Sequence, residues 1–149
     1  MSHLDPQHRE IVREIFERAG FMTYLGVALD GLEQGVCDAS LAIEPRHLQQ
    51  DGFIHAGVLA SLADHSAGGA AGTLVQPGET ILSIEFKINL LRPAVGERVR
   101  CRATVLKPGR TIMVAESEVF AVRAGEEKLV AKATVTLAVV SVEASRGER

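Results

Sequence analysis

The hydrophobic positions near the start of the chain recur with the period of an amphipathic helix. In residues 6–19, apolar side chains stand three and four positions apart with charged side chains between them; the apolar ones are Ile11, Val12, Ile15 and Phe16. Asp5 can cap the first turn, Pro6 suits its first position, and Gly20 stops the helix. We therefore predict an amphipathic helix within residues 1–20.

Six further segments have the alternation and the bounding turns of β-strands. They are residues 21–32, 36–43, 80–91, 97–107, 111–122 and 128–140. The last four follow one another with short turns that contain Pro or Gly, so we expect them to be antiparallel neighbours. The polar tail at residues 141–149 is expected to be frayed.

Two of these strands have a marked two-sided pattern. In residues 80–91, Ser83 belongs to the more polar face, and the apolar face consists of Leu82, Ile84, Phe86, Ile88 and Leu90. In residues 97–107, arginines and a threonine form the outer face, and the apolar face consists of Val99, Cys101, Ala103 and Val105. Each pattern predicts a strand with one side on the core.

Residues 55–74 differ from the rest of the chain because they consist almost entirely of Ala, Gly, Ser and Leu, with one carboxylate, Asp64, in the middle. The length and the Leu/Ala pattern predict a helix. Since this helix is apolar on nearly all sides, it should be buried rather than lie on the surface. An antiparallel sheet wrapped around it satisfies both elements, which is an α+β architecture in one domain of 149 residues.

Composition excludes several classes of function. The net charge of −3 and the sequence pI of about 5.9 leave no basic footprint for nucleic acid, and aromatic residues make up only 4%. The two cysteines, Cys37 and Cys101, are too few for a disulfide scaffold or a zinc site, so no metal is predicted. Residues 1–10 lack the apolar core of a signal peptide, and no apolar run of ~18 residues occurs, so we expect a cytoplasmic protein.

Asp64 is the most informative residue for function. An ionised carboxylate in a buried helix is costly unless it is paired or faces a solvated cleft. One interpretation is structural, with Asp64 satisfied by a backbone amide or by Ser61 or Ser66. The other is chemical, with Asp64 acting as a general base or nucleophile towards a ligand.

The start of the same helix is the second candidate. There, His55, Ala56 and Gly57 precede or enter the first turn, whose backbone N–H groups are free and lie at the positive end of the helix dipole. Small residues at 56 and 57 let a carbonyl approach these amides, which can hold a developing oxyanion. Many helices also begin near glycine without any such role.

The spacing of the two candidates predicts a dimer. Asp64 lies eight residues after Ala56, which is roughly 12 Å along a helix, whereas both groups must lie within about 3 Å of one reacting carbonyl. If they cooperate, the amide comes from one subunit and the carboxylate from another. Antiparallel pairing of two such helices would create two sites at the interface of a homodimer.

These residues resemble a known family. His55-Ala56-Gly57 followed by Leu62-Ala63-Asp64, within residues 52–69, resembles the motif of PaaI-like hot-dog fold acyl-CoA thioesterases, which is usually His-Gly-Gly and then Leu-Ala-Asp. The resemblance continues through residues 83–93 and through Gly109-Arg110, and covers most of residues 24–140. It implies a single hot-dog domain over residues 1–149 and a hydrolase that cleaves an acyl-CoA thioester, with coenzyme A as part of the substrate rather than as a cofactor.

The resemblance also implies roles for individual residues. Asp64 would activate water or attack the carbonyl, the Ala56 amide would form the oxyanion site, Gly57 would keep the turn open, and His55 would orient the helix start or touch the thioester. Gln49 stands where relatives often have an Asn that places water, and Ser83 matches a hydroxyl on the following strand. Two departures are Ala56 in place of Gly and Gln49 in place of Asn.

Cations are needed for the phosphates of coenzyme A. Arg92, Lys107, Arg110 and Lys132 lie at predicted strand ends or turns, and Arg suits phosphate recognition. Arg110 ranks first because it follows the turn where relatives bring the nucleotide close.

Two other functions on the same fold stay open at this point. One is a dehydratase or hydratase of 3-hydroxyacyl thioesters, and the other is a non-catalytic acyl-CoA-binding protein. The sequence also leaves open the acyl group and the choice between a homodimer and a homotetramer.

Overall fold

The computed structural model describes residues 3–147. The chain forms one β-sheet, against which the long helix packs. In chain order the elements are α1 (Pro6–Glu17), α2 (Gly20–Leu25), β1 (Val27–Glu33), β2 (Val36–Ala42), a 3-10 turn (Pro45–His47), α3 (Ala56–Gly72), β3 (Glu79–Leu90), β4 (Arg98–Pro108), β5 (Ile112–Arg123), β6 (Glu126–Ser141) and α4 (Val142–Gly147).

The sheet has six strands in the order β1-β2-β4-β5-β6-β3, and every pairing is antiparallel. Strands β4, β5 and β6 are neighbours as predicted, but the expectation that β3 lies next to β4 is wrong, because the loop after β3 crosses to the other side of the β4-β5-β6 group and β3 pairs with β6. Helix α3 packs against it, and Leu62, Ala63, Ala67 and Ala70 have no exposed surface. Small side chains let this helix approach the strands closely along its whole length. The predicted α+β architecture, an antiparallel sheet wrapped around one long buried helix, is confirmed.

Helix α1 begins as the sequence predicts. The carboxylate of Asp5 accepts hydrogen bonds from the backbone N–H groups of Gln7 and His8, both at 3.0 Å, which satisfies two of the free donors of the first turn. Val12 and Phe16 are buried against the core, whereas Ile11 and Ile15 are 47% and 49% exposed.

The predicted strand at residues 21–32 is wrong over its first part. Residues 20–25 form helix α2, which buries Met22 and Leu25 at helical spacing, and Gly26 ends it with a positive φ of 89°. The strand therefore begins at Val27.

Residues 141–147 of the tail that is predicted to be frayed lie in β6 and helix α4, and the fraying itself stays a prediction. Strand β6 continues to Ser141, whose hydroxyl accepts a hydrogen bond from the Ala144 amide at 3.1 Å at the start of helix α4. Residues 148 and 149 lie outside the described residues.

A bulge in β3 changes which side chains face the core. The register with β6 shifts between Ser83 and Glu85, so that Ser83 lies opposite Leu137 and Phe86 lies opposite Val135. Directly paired residues share a face of the sheet, and both partners on β6 are buried in the core. The predicted single apolar face from Leu82 to Leu90 is therefore wrong at its start, because the extra residue turns Ser83 towards α3.

Strand β4 has the two faces predicted for it. Val99, Cys101 and Ala103 have no exposed surface, while the arginines between them lie on the outer face, where Arg100 binds Glu127 at 2.7 and 2.8 Å and Arg102 binds Asp38 at 2.5 Å. Both cysteines are free and buried, and burial raises the pKa of Cys101 to about 11, so its thiol stays neutral.

Gly69 is a point where α3 closely approaches its surroundings. A Cβ atom there would lie 2.9 Å from Cys37 Sγ and 3.1 Å from Phe16 Cδ2, so the glycine lets α3 contact both β2 and α1. Its neighbour Gly68 has open space in the same position.

We expect Gly69→Ala to lower the free energy of unfolding by about 1–2 kcal/mol, because overpacking outweighs the gain in helix propensity. The matched change Gly68→Ala should leave the free energy of unfolding unchanged or raise it by up to ~1 kcal/mol. Urea denaturation of both variants measures the difference, and equal midpoints would contradict this account of the packing.

Candidate active site

Asp64 lies in the third turn of α3 and is hydrogen-bonded to the edge strand. The Ser83 hydroxyl donates to Asp64 Oδ1 at 2.7 Å, which the bulge in β3 makes possible. Ser61 does not satisfy Asp64, because its hydroxyl donates to the Gly57 carbonyl at 2.6 Å. Within residues 3–147, Ser83 is the one hydrogen-bond donor to this carboxylate, so Oδ2 is free to act on a ligand.

The helix that carries Asp64 is fixed from the sheet side. Ser117 on β5 is buried, and its hydroxyl donates to the Ala63 carbonyl at 2.7 Å. This bond holds the residue next to Asp64 against the sheet. The carboxylate is therefore positioned by two serines on different strands.

A cavity of about 710 Å³ adjoins the Asp64–Ser83 pair. Part of its lining consists of the glycines of α3 (Gly68, Gly69 and Gly72), and apolar walls come from Ile11, Ile15, Phe16 and Ile81. That α1 forms a wall of this cavity was not predicted from the sequence. The sequence did contain an indication of it. The apolar stripe of α1 includes Ile11 and Ile15 in addition to the buried Val12 and Phe16, so the stripe is wider than packing on the core requires.

Two histidines fasten α1 to α3. The ring of His65 lies 4.1 Å from that of Phe16, and its Nε2 donates to the Phe16 carbonyl at 3.0 Å. In the opposite direction, His8 Nε2 on α1 donates to the Gly72 carbonyl at 2.9 Å. Both carbonyls belong to last turns, where no partner within the helix is available. Since the bonded N–H of His65 is directed to Phe16, His65 does not form with Asp64 the His–carboxylate pair that a hydratase would need.

The start of α3 offers a free donor. His55 caps the helix, with its Nδ1 accepting from the Gly57 amide at 2.8 Å, and a Cβ atom on Gly57 would lie only 2.9 Å from that nitrogen. Within the part of the chain that the structure describes, the Ala56 amide has no acceptor. All three residues are exposed. The first turn therefore presents one unpaired N–H to an incoming ligand.

Gln49 lies in a tight hairpin just before this turn. Its amide donates to the Phe53 carbonyl at 2.8 Å, and its side-chain oxygen accepts from the amides of Asp51 and Phe53. The buried His47 anchors the hairpin, because its Nδ1 accepts from Glu44 and its Nε2 donates to the Leu25 carbonyl at 2.8 Å. The side-chain nitrogen of Gln49 has no partner in residues 3–147.

The predicted site residues thus form two groups. Asp64 and Ser83 meet at the cavity, whereas Gln49, His55, Ala56 and Gly57 cluster at the start of α3 and do not line that cavity. Because α3 is one uninterrupted helix, Ala56 and Asp64 are separated by roughly 12 Å along its axis.

The four predicted coenzyme A cations lie in three different parts of the fold. Lys132 is on the outer face, where Glu116 and Glu118 are 3.3 and 3.6 Å away, and the hydrogen bond to Glu116 raises its pKa. Lys107 and Arg110 are exposed near the β4–β5 turn, and Arg92 follows β3. None of the four lines the cavity beside Asp64.

Metal ligands and membrane spans were also sought. No group of three or more His, Cys, Asp or Glu side chains within residues 3–147 could hold a metal ion. In the same residues, no helix is long and apolar enough to cross a membrane.

Comparisons with known proteins give a consistent result. The model of the thioesterase superfamily matches residues 51–128. Acyl-coenzyme A thioesterase 13 of Mus musculus is 28% identical over 122 residues, which is 77% of this chain and 83% of that protein.

Solved structures share the whole fold. A thioesterase family protein from Silicibacter pomeroyi superimposes with a TM-score of 0.88 at 39% identity, covering 90% of this chain and 98% of that one. The E. coli PaaI protein has a TM-score of 0.81 at 20% identity, covering 93% and 96% of the two chains, and so supports the fold.

The position of His65 generates a prediction about pH. Burial lowers the pKa of His65, so the folded chain binds fewer protons than the unfolded chain as the pH falls below about 6.5. We therefore expect the free energy of unfolding to fall with pH below that value. In His65→Gln, which keeps a donor for the Phe16 carbonyl and cannot titrate, this fall should be smaller.

Urea unfolding at about pH 7.5 and about pH 5.5 measures the effect, since that range spans the ordinary pKa of histidine. An identical pH dependence in His65→Gln and the wild type would contradict the prediction.

Proposed function

This chain belongs to the thioesterase superfamily and is a thioester hydrolase, and we propose that it hydrolyses acyl-CoA at two equivalent sites, each shared by two copies of the chain. The predicted resemblance to PaaI-like thioesterases is confirmed. The observation that carries the shared site is the separation of Asp64 from the unpaired Ala56 amide on one straight helix.

The cavity beside Asp64 supports an acyl substrate. Its apolar walls are formed by isoleucines and Phe16, and its volume of about 710 Å³ is in the range of ligand pockets. An acyl chain placed there puts its carbonyl carbon at the mouth, next to the carboxylate. The name of the mouse relative points to the same class of thioester.

Asp64 acts on the thioester carbon. Either its free oxygen removes a proton from a water molecule that attacks the carbonyl, or that oxygen attacks directly and water later cleaves the anhydride. In both routes a C–O bond forms, the C–S bond breaks, and the sulfur leaves as the coenzyme A thiol after taking up a proton. Ser83 holds the other carboxylate oxygen and so fixes its orientation.

The start of the partner's α3 stabilises the negative charge that develops on the carbonyl oxygen. The free Ala56 amide and the helix dipole act together there. His55 is a positioning residue, because its cap holds the first turn, and Gly57 leaves room for that cap. Gln49 belongs to the same cluster at the start of α3, and its unpartnered side-chain nitrogen is assigned the role of orienting water.

The exposed edge of β3 supports the dimer. Within the described residues β3 pairs only with β6, and its open edge carries Leu82, Ile84, Phe86 and Leu90, each 44–55% exposed. An apolar strand edge is a pairing surface, and a second copy that pairs there antiparallel sets the two α3 helices side by side in opposite directions. A tetramer would add a second interface to this homodimer.

Of the predicted cations, Arg92 is the one whose loop also contacts the start of α3 in the same chain. Lys107 and Arg110 lie near the β4–β5 turn, at the other end of the sheet from the start of α3. They would therefore reach a thioester bound at the start of α3 only if that α3 belonged to the partner subunit. Lys132 is already paired with two glutamates and is the least available.

The first test separates the two residues that meet at the cavity. Asp64→Asn should lower kcat by roughly 10²–10⁴-fold, because it removes the base or nucleophile but keeps the shape. Ser83→Ala should lower kcat by only about tenfold, since it removes one hydrogen bond. Release of free thiol from a panel of acyl-CoA substrates measures both, and near-native hydrolysis by Asp64→Asn would overturn the role of Asp64.

The second test removes a single hydrogen-bond donor, the backbone N–H of Ala56. Ala56 is the first residue of α3 and the backbone before it is extended, so Ala56→Pro fits the fold and deletes only the free amide. We expect kcat to fall roughly 10²–10³-fold with the free energy of unfolding unchanged. Ala56→Ser, which keeps the amide, is the matched control.

Co-expression of Ala56→Pro with Asp64→Asn then tests the shared site. A mixed dimer has one site with both groups intact, so random pairing should restore about a quarter of the wild-type activity. If isolated mixed dimers are inactive, each site is contained within one chain and the proposal fails on this point.

A further inference from the structure

A second cavity, of about 590 Å³, lies at the end of the sheet where β5 ends and β6 begins. Arg92, Arg123 and Lys128 line it, together with one carboxylate, Glu126. Of these three cations, only Arg92 is predicted from the sequence to bind coenzyme A. A net positive cavity stands out in a chain whose net charge is −3.

These three cations are not neutralised by the protein. In the part of the chain that the structure describes, none of their side chains has a hydrogen bond or an ion pair. The arginines of the outer sheet face differ, because Arg100 and Arg102 are each bound to a carboxylate within 3 Å. Unpaired guanidinium groups in a concave site are suited to an anion.

The cavity lies near the start of α3. Arg92 and Pro93 line it, and the next residue in their loop, Ala94, accepts a hydrogen bond at 3.0 Å from the amide of Ile54, which directly precedes the His55 cap. The loop that lines the cavity is therefore hydrogen-bonded to the segment that leads into Ala56. The β4–β5 turn, by contrast, lies at the end of β4 and β5 that is far from this cavity.

The walls of the cavity are held together before any ligand arrives. Glu97 accepts from the Ala124 amide at 3.0 Å, and its own amide donates to the Val122 carbonyl at 3.1 Å. A Cβ atom on Gly96 would lie 2.2 Å from that same carbonyl oxygen, so only glycine permits this approach. The β5–β6 turn is thereby fixed against the loop that carries Arg92.

We propose that Arg92, Arg123 and Lys128 bind the phosphate groups of the coenzyme A part of the substrate. The inference rests on the proposed acyl-CoA hydrolysis and adds where the nucleotide end is bound. Coenzyme A carries its phosphates at the far end of the pantetheine arm from the sulfur, so cations that bind them must lie beyond the oxyanion site rather than in it. Two arginines offer forked donors that match phosphate oxygens.

The test compares two substrates with the double variant Arg123→Gln/Lys128→Gln. For acyl-CoA we expect KM to rise roughly tenfold or more with kcat unchanged, because charge-assisted contacts to phosphate are lost. For the same acyl group on N-acetylcysteamine, which has no phosphates, kinetics should not change. Glu126→Gln should act in the opposite direction and lower KM for acyl-CoA.

A charge-matched control removes two cations elsewhere. Arg13→Gln/Arg102→Gln alters two ion-paired surface arginines and should leave KM for acyl-CoA unchanged. The inference is overturned if Arg123→Gln/Lys128→Gln leaves KM for acyl-CoA unchanged, or raises KM for both substrates equally. It is also overturned if only Lys107→Gln/Arg110→Gln raises KM, since the phosphates would then lie at the other end of the sheet.

A binding measurement keeps this inference separate from the reaction. Calorimetry with adenosine 3′,5′-bisphosphate, which carries phosphates but no thioester, should show binding to the wild type that Arg123→Gln/Lys128→Gln loses. Binding of this kind without acyl-CoA hydrolysis would overturn the proposed function and support the anion site. Hydrolysis of acyl-CoA without any binding of the bisphosphate would overturn the anion site alone.

Discussion

The length of one helix is the constraint on which the proposed site depends. Asp64 and the free amide of Ala56 lie on the same helix, roughly 12 Å apart along its axis, and the helix packs against the sheet. In the proposed mechanism the oxyanion site therefore comes from a second copy of the chain. The exposed apolar residues of β3 offer a surface on which that copy would pack.

In the proposed function the two cavities bind different parts of the substrate. The larger one adjoins Asp64 and has Ile11, Ile15, Phe16 and Ile81 among its walls, whereas the smaller one lies near the start of α3 and is cationic. With antiparallel helices, the acyl cavity of one subunit lies beside the oxyanion site and the cationic cavity of the other. An acyl-CoA molecule has the same order of parts: an apolar chain, a reacting carbonyl, and a charged nucleotide.

Much of the fold could be predicted from the sequence because its strongest signals are periodic. The small-residue pattern identified α3, and strict alternation identified the two faces of β4. The two elements that were predicted wrongly, the apolar face of β3 and helix α2, also have physical reasons. A bulge inserts one residue into β3, which alternation cannot reveal, and the short helix α2 has too few turns for its period to be distinguished from a strand. The site residues stay a prediction, because they were chosen for the chemistry of single side chains and the structure adds only where those side chains lie. Arg100 and Arg123 look alike in sequence, and only the folded chain shows that one is paired with Glu127 and the other is not.

The two histidine bonds between α1 and α3 have a consequence for how such an enzyme can diversify. His8 and His65 hold the backbone of α1 in place from both ends, independently of the side chains that α1 presents to the acyl cavity. Ile11 and Ile15 can then be exchanged for larger or smaller residues while the helix keeps its position and Asp64 its surroundings. In the proposed site, chain-length preference would thus be set by an element that takes no part in bond cleavage, and substitutions in α1 would change that preference without altering the groups that act on the thioester.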